Sequence, residues 1–244
     1  MRSDGGTLME RSRVMVVTGT SRGIGRGIAE YFAAKGFVVS GCSRGESTLG
    51  ELAGYDHSSV DVRDEKQVRG WARDVKQRHG RVDVVVCNVG LVKLGALTAL
   101  TSLDMFQDFV SSILAGTFLV CREFAKIMSL QRSGRIVNVT SIMTELHAPG
   151  TVAYASAKSG VVELTKVLAR ELVASGVTCN VVSPSVVLTD SSLAFGEEWM
   201  AKMLAMQTIQ RPIDVAELCN VVAFFAAPES GCVTGQVIHT CLVS

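Results

Sequence analysis

The chain carries almost no net charge, since 24 lysines and arginines face 23 aspartates and glutamates for a formal +1. Without a strong field of one sign it cannot gather nucleic acid or anionic lipid nonspecifically, so a small molecule is the expected partner. It has no run near the roughly 18 consecutive apolar residues a membrane span needs; the stretch at 221–227 is short and stops at Pro228. Residues 1–12 are polar, mixed in charge and without the apolar core of a signal peptide, and are expected to form a frayed tail before one domain over 13–244. The seven cysteines include no Cys-x-x-Cys pair and no neighbouring histidine pair at zinc spacing, so no metal site is expected. Most of them lie inside apolar runs such as 84–87 and read as buried reduced thiols, for which a cytoplasmic setting is the default. No interdomain linker is visible, and no internal repeat either.

What the chain does have is alternation. Short Val/Ile-rich runs at 14–17, 37–41, 60–62, 84–86, 136–139, 177–182 and 237–238 are candidates for buried strands. Between them, residues 25–35, 64–79, 103–128, 154–174 and 214–226 have helical period and length. Asp64 with Gln67 and Asp214 with Glu217 fit capping boxes, and Gly36 and Gly80 stand where helices should stop. Continuously apolar strands alternating with helices predict an α/β, Rossmann-type fold: a doubly wound parallel sheet of about seven strands, covered on both faces. In such sheets ligands bind beyond the carboxyl ends of the strands, where strand order reverses.

The first predicted strand runs into Thr18-Gly19-Thr20-Ser21-Arg22-Gly23-Ile24-Gly25 and then a helix, the setting a dinucleotide phosphate requires. Glycines admit the pyrophosphate to the backbone, and the helix N-terminus offers free N–H groups. At the end of the second strand, where an NAD enzyme carries an acidic ribose ligand, stands Arg44. Arg44 and Arg22 together suit a 2′-phosphate, and therefore NADP(H); singly, either also reads as a solvated surface charge. Asp61 suits the adenine amino group or the approach to a helix.

Tyr154 and Lys158 are four residues apart on a predicted helix, so they share a face. A phenol with its ordinary pKa of about 10 is a poor acid–base catalyst near neutrality, and a neighbouring ammonium is expected to favour its ionised form. Ser141, at the end of the strand at 136–139, can hydrogen-bond a substrate oxygen opposite that phenol.

These motifs, with Cys87-Asn88-Val89-Gly90, Asn138-Val139-Thr140-Ser141, Asn180 to Pro184 and Thr234-Gly235-Gln236, make residues 13–240 resemble the classical short-chain dehydrogenase/reductase family. Within it, the glycine turn and Arg44 are similar to 3-oxoacyl-carrier-protein reductases and related NADPH ketoreductases. The resemblance implies that Tyr154 is the general acid for reduction, Lys158 binds the nicotinamide ribose and lowers the tyrosine pKa, and Ser141 positions the carbonyl. It implies a cofactor site of Gly19, Ser21, Arg22, Gly23, Ile24, Gly25, Arg44, Asp61, Val62, Asn88, Gly90, Tyr154, Lys158, Pro184, Val187 and Thr189. It further implies a carbonyl or alcohol substrate, free or carrier-bound, a substrate loop or lid around 185–210, and a homodimer or homotetramer.

Three positions depart from the family pattern. Ile113 stands where an asparagine usually holds a relay water, which leaves the relay absent, rerouted or supplied by Ser111 or Ser112, and leads one to expect that Ile113→Asn raises the rate or leaves it unchanged. Ser185 follows Pro184 in place of glycine, and Thr240-Cys241-Leu242 replaces the usual Asp-Gly-Gly. These losses keep open a second class, a weakly active or non-catalytic NADP-binding subunit supporting a homologous catalytic chain. Glu145 and His147 lie in a loop expected to face the substrate, as recognition groups or merely solvated, and the methionine-rich stretch 199–206 is either a lid or ordinary helix packing.

Overall fold

Both faces of the central strands are apolar, and alternate residues serve opposite layers. In β1 (Val14–Thr18), Val16 packs on one side of the sheet while Met15 and Val17 pack on the other; β4 (Val84–Cys87) divides Val85 and Cys87 from Val84 and Val86 in the same way. The structure, a computed structural model, describes residues 12–90 and 96–243; of the expected tail, only Ser12 lies within them. Seven parallel strands form one sheet in the order β3-β2-β1-β4-β5-β6-β7, completed by β2 (Val38–Ser43), β3 (Tyr55–Ser59), β5 (Gly134–Val139), β6 (Val177–Ser183) and β7 (Val237–His239). Helices α1 (Gly23–Ala34) and α9 (Val215–Ala226) bury Phe32 and Phe225 on one face. On the other lie α2 (Glu65–His79), α4 (Gly116–Gln131) and α6 (Val152–Leu172), with Trp71 edge-on to Phe124 at 5.1 Å.

The third strand is not where the valines predicted it. β3 is the polar run Tyr55–Ser59 at the sheet edge, and Val60 and Val62 lie just past it, buried over the sheet end. An edge strand buries too little to need an apolar run, so hydropathy reports its exit instead. The helix expected over 103–128 is also interrupted: α3 (Leu103–Phe109) and α4 are joined by a π-helical turn, Val110–Ala115. Such turns insert one residue into the helical ladder and often mark functional sites. The caps follow the sequence more closely. Asp64 accepts from the backbone of Lys66 and Gln67, although Gln67 reaches back to the N–H of Asp61 and not that of Asp64; Glu217 accepts from Asp214 N at 3.0 Å.

Beyond β5 and β6 come short helices α5 (Met143–Leu146) and α7 (Asp190–Leu193), then α8 (Glu197–Ala205). Strand order reverses between β1 and β4, and the carboxyl ends of these two strands face a cleft. Among the described residues no helix is long and apolar enough to cross a membrane.

Candidate active site

The reversal point is tied together by a hydroxyl and an amide. Thr18 Oγ1 accepts from the backbone N–H groups of Asn88 (2.9 Å) and Val89 (3.1 Å), and Asn88 Nδ2 donates to Thr18 O at 3.3 Å. The glycine turn folds back over this knot. Gly19 has φ 76°, and a Cβ on Gly25 would lie 2.3 Å from the Gly19 carbonyl oxygen, so the turn closes only with glycine at both places. No side chain caps the first turn of α1, which leaves its N–H groups directed at the cleft.

That cleft, of about 260 Å³, is lined by Gly19, Ser21, Arg22, Gly23, Ile24, Arg44, Asp61, Val62, Asn88, Gly90, Tyr154, Lys158 and Thr189 from the predicted set. Gly25 is buried behind the turn, and Pro184 and Val187 are buried in the segment leading to Thr189; none of the three lines the cleft. Ser43, Val60, Arg63, Val89, Ser112, Val139 and Thr140 also line it without having been assigned to the cofactor, Ser112 having been named only as a stand-in for the relay asparagine. Val89, Val139 and Thr140 had a sequence signal in the motifs at 87–90 and 138–141, and the Thr140 hydroxyl is buried without a partner. Asp61 is held by Arg63 through contacts of 2.6–3.0 Å, which keep its carboxyl below the usual range. Among the described residues no ion pair involves Arg44, whose exposed side chain borders the same cleft. Free helix N–H groups, a glycine cradle, an unpaired cation and an unpartnered hydroxyl together fit a phosphorylated dinucleotide.

A second cleft of about 280 Å³ meets the first at Tyr154. Its walls are Met105, Phe109, Met143, Phe195, Trp199, Met203 and Met206, with Ser141 at the reactive end and Lys202 as its only cation among the described residues. The stretch 199–206 therefore both packs as a helix and walls this cleft, and Phe195, within the substrate loop expected around 185–210 but not singled out there, lines it too. Glu145 and His147 are exposed and line neither cleft: Glu145 Oε1 accepts from Thr144 Oγ1 at 3.2 Å and lies 3.8 Å from His239 Nε2, and His147 sits at φ 48° as the C-cap of α5.

The phenol of Tyr154 hydrogen-bonds Ser141 and stands edge-on to Phe109, with ring centroids 6.1 Å apart. Burial raises its pKa, and the Ser141 bond offsets part of the rise. Lys158, 3% exposed, donates to Val139 O at 2.8 Å, its Nζ lying 5.9 Å from the Tyr154 ring centroid. Desolvation pushes its pKa down to about 8. The expected lowering of the phenol by the ammonium is thus not what this geometry produces. Desolvation dominates at the phenol, and Ser141 is the group that acts against it.

Ile113 is fully buried among Phe109, Ala153, Ala157 and Val161. The neighbouring Ser112 reaches the cofactor cleft, whereas the Ser111 hydroxyl is engaged by Asp108 O at 3.1 Å. Near the C-terminus Cys241 adopts φ 58° where the family pattern has glycine. Asn180 and residues 234–236 serve β6 and β7: Asn180 Nδ2 donates to Val233 O, and its Oδ1 accepts from Gln236 N.

Known proteins of the same kind extend along nearly the whole chain. A family model described as enoyl-(acyl carrier protein) reductase matches residues 19–241. The 3-oxoacyl-[acyl-carrier-protein] reductase FabG of Escherichia coli is 31% identical over 232 residues, covering 93% of this chain and 95% of its own; that of Staphylococcus aureus is 32% identical over 240 residues, covering 95% and 97%. A variant of actinorhodin polyketide ketoreductase, solved with NADPH, superposes with a TM-score of 0.88 at 32% identity, covering 94% of this chain and 96% of that one. ElxO with NADP bound gives 0.88 at 25% identity, covering 93% and 96%. A doubly wound sheet with a glycine turn at its reversal point, a Ser-Tyr-Lys set where two clefts join and relatives of this coverage lead to one assignment: the chain belongs to the short-chain dehydrogenase/reductase family.

Proposed function

We propose that this chain reduces a ketone to a secondary alcohol, with Tyr154 delivering the proton to the carbonyl oxygen. It is an NADPH-dependent oxidoreductase, and its relatives include proteins named for 3-oxoacyl reduction on a carrier. The observation that carries the reading is the position of Tyr154, whose side chain borders both the cofactor cleft and the apolar cleft. When bound, the dinucleotide supplies a hydride to the carbonyl carbon. Ser141 holds the oxygen of that carbonyl against the phenol, and Tyr154 gives it a proton. Lys158, 5.9 Å from the phenol ring, steadies the negative charge left on Tyr154 and is placed to hold the ribose. The phenol is protonated at neutral pH, so the proton to be transferred is in place, while its raised pKa opposes release and leaves the Lys158 cation to favour it. The second cleft, walled by methionines and aromatics with Lys202 as its cation, suits a substrate with an apolar body and a neutral or anionic end, such as a 3-oxoacyl thioester.

The test is oxidation of NADPH by a panel of ketones, 3-oxoacyl thioesters and a 2-enoyl thioester. Tyr154→Phe should lose about 10²–10⁴-fold in turnover with cofactor affinity unchanged. Equal rates would overturn the mechanism, and turnover of the enoyl substrate alone would move the chemistry to a carbon–carbon double bond. An inactive wild type that gains activity only beside a homologous chain would instead establish the supporting-subunit reading.

A further inference from the structure

A chain of side-chain hydrogen bonds runs beneath the rim of the cofactor cleft, from the glycine turn to the loop carrying Arg44. Thr20 Oγ1 lies 2.7 Å from the Tyr55 hydroxyl, that hydroxyl 2.8 Å from His57 Nδ1, and His57 Nε2 lies 2.9 Å from the carbonyl oxygen of Gly45. Ser43 Oγ donates to the same carbonyl at 3.2 Å. The proton order follows from the last partner. A carbonyl oxygen only accepts, so Nε2 carries a hydrogen, and in the tautomer protonated there alone Nδ1 accepts from Tyr55. Tyr55 has then used its one hydrogen, so Thr20 donates to it at 2.7 Å in preference to Cys42 O at 3.4 Å.

Holding the sheet together does not require this chain. β2 and β3 already pair through the backbone from Val39↔Tyr55 to Ser43↔Ser59, and the two side chains reach past that ladder to the turn and the loop. The interior also leaves room for the chain at a cost to the strand. Gly41, buried within β2 and paired with His57, is where an added Cβ would lie 2.4 Å from the Tyr55 hydroxyl and 2.7 Å from Thr20 Oγ1. Glycine inside a strand weakens it and marks a close approach, which here is the Thr20–Tyr55 bond. The loop is pinned at two further points: Ser59 Oγ donates to Arg44 O at 3.1 Å, and Thr48 Oγ1 donates to Ser21 O at 2.5 Å.

We infer that His57 is a positioning residue for cofactor selection: by holding the Gly45 carbonyl it fixes the loop from which Arg44 meets a 2′-phosphate, and through Tyr55 it keeps that loop in register with the glycine turn. The inference rests on the reading that Arg44 recognises a 2′-phosphate. Arg44 is exposed and has no ion pair among the described residues to orient it, so the backbone beneath it sets where its guanidinium can reach.

Calorimetric titration of the full chain with adenosine 2′,5′-bisphosphate and with adenosine 5′-monophosphate separates the two ideas. The wild type should bind the bisphosphate more tightly, and Arg44→Ala should abolish that preference. His57→Ala should cut the preference about tenfold, the value of one well-placed hydrogen bond, without changing affinity for the monophosphate. His57→Gln, whose amide N–H can still donate to Gly45, should retain most of it. Tyr55→Phe, which keeps the ring packing and removes only the hydroxyl, should also reduce the preference and decides the matter if His57→Ala does not fold. A wild type without preference overturns the reading of Arg44. A preference that survives His57→Ala, or an equal loss for both nucleotides, overturns the role of His57 and leaves Arg44 standing.

Discussion

Lys158 is the residue at which stability and function oppose each other. Its pKa falls from 10.5 to about 8 with the side chain 3% exposed, so burying the charge costs on the order of 3 kcal/mol at neutral pH. The hydrogen bond to Val139 O returns about 1 kcal/mol of that. Lys158→Met should therefore raise the melting temperature of the cofactor-free protein by several degrees while abolishing turnover. The sign with pH follows from proton counting. Between about 8 and 10.5 the unfolded chain holds a proton on this lysine that the folded chain has released, so wild-type stability gains on the Lys158→Met variant as pH rises through that window. Below about pH 8 the gap should be constant. Melting curves of the two proteins from pH 7 to 10 check this, and a gap that does not close would mean the lysine is not buried as a charge. The same deprotonation removes the cation facing the ribose site, so NADPH affinity should weaken above about pH 8.

At the scale of elements, the π-helical turn between α3 and α4 separates two neighbours that the sequence shows side by side. It carries Ser112 to the cofactor cleft and turns Ile113 into the apolar cluster of Phe109, Ala157 and Val161. The rate gain expected of Ile113→Asn therefore does not follow from this geometry. The amide would be buried among hydrocarbon without a partner, a change that costs about 2–4 kcal/mol. Ile113→Asn should lower the melting temperature and leave the rate no higher than wild type. A faster and equally stable variant would show that an asparagine here reaches the cleft. Ser112→Ala should slow turnover more than Ser111→Ala, since the hydroxyl of Ser111 is already committed to Asp108 O.

The whole molecule exposes apolar side chains on the two longest helices that flank the sheet. Phe118 on α4 is 43% exposed and Val167 on α6 is 51% exposed. With a formal charge of +1, nothing electrostatic opposes contact between copies. We expect a homodimer or homotetramer built on these helices, with Phe118→Glu and Val167→Glu together shifting it to monomer. Light scattering at micromolar concentration reads the outcome, and a monomeric wild type would defeat it.

The order of strands and helices, the parallel class of the sheet, the glycine turn and the Ser141-Tyr154-Lys158 set were all legible in the sequence, because each rests on short-range pattern: an apolar run, a helical period, glycines in one turn, Tyr154 and Lys158 on one helix, and Ser141 at the end of the strand before it. What the tertiary structure decided depends on partners far apart in the chain. β3 is a polar, half-buried edge strand, its Asp56 is held by Arg78 and His79 at the end of α2, and its Tyr55 and His57 acquire meaning only beside Thr20 and Gly45. Phe195 and Trp199 wall the substrate cleft opposite Met105 and Phe109, from segments roughly ninety residues away. The acidity of Tyr154 and Lys158 moved opposite to what their spacing suggested for the phenol. Spacing sets which charges are neighbours, whereas the exclusion of water that raises one pKa and lowers the other arises only when distant elements close over them.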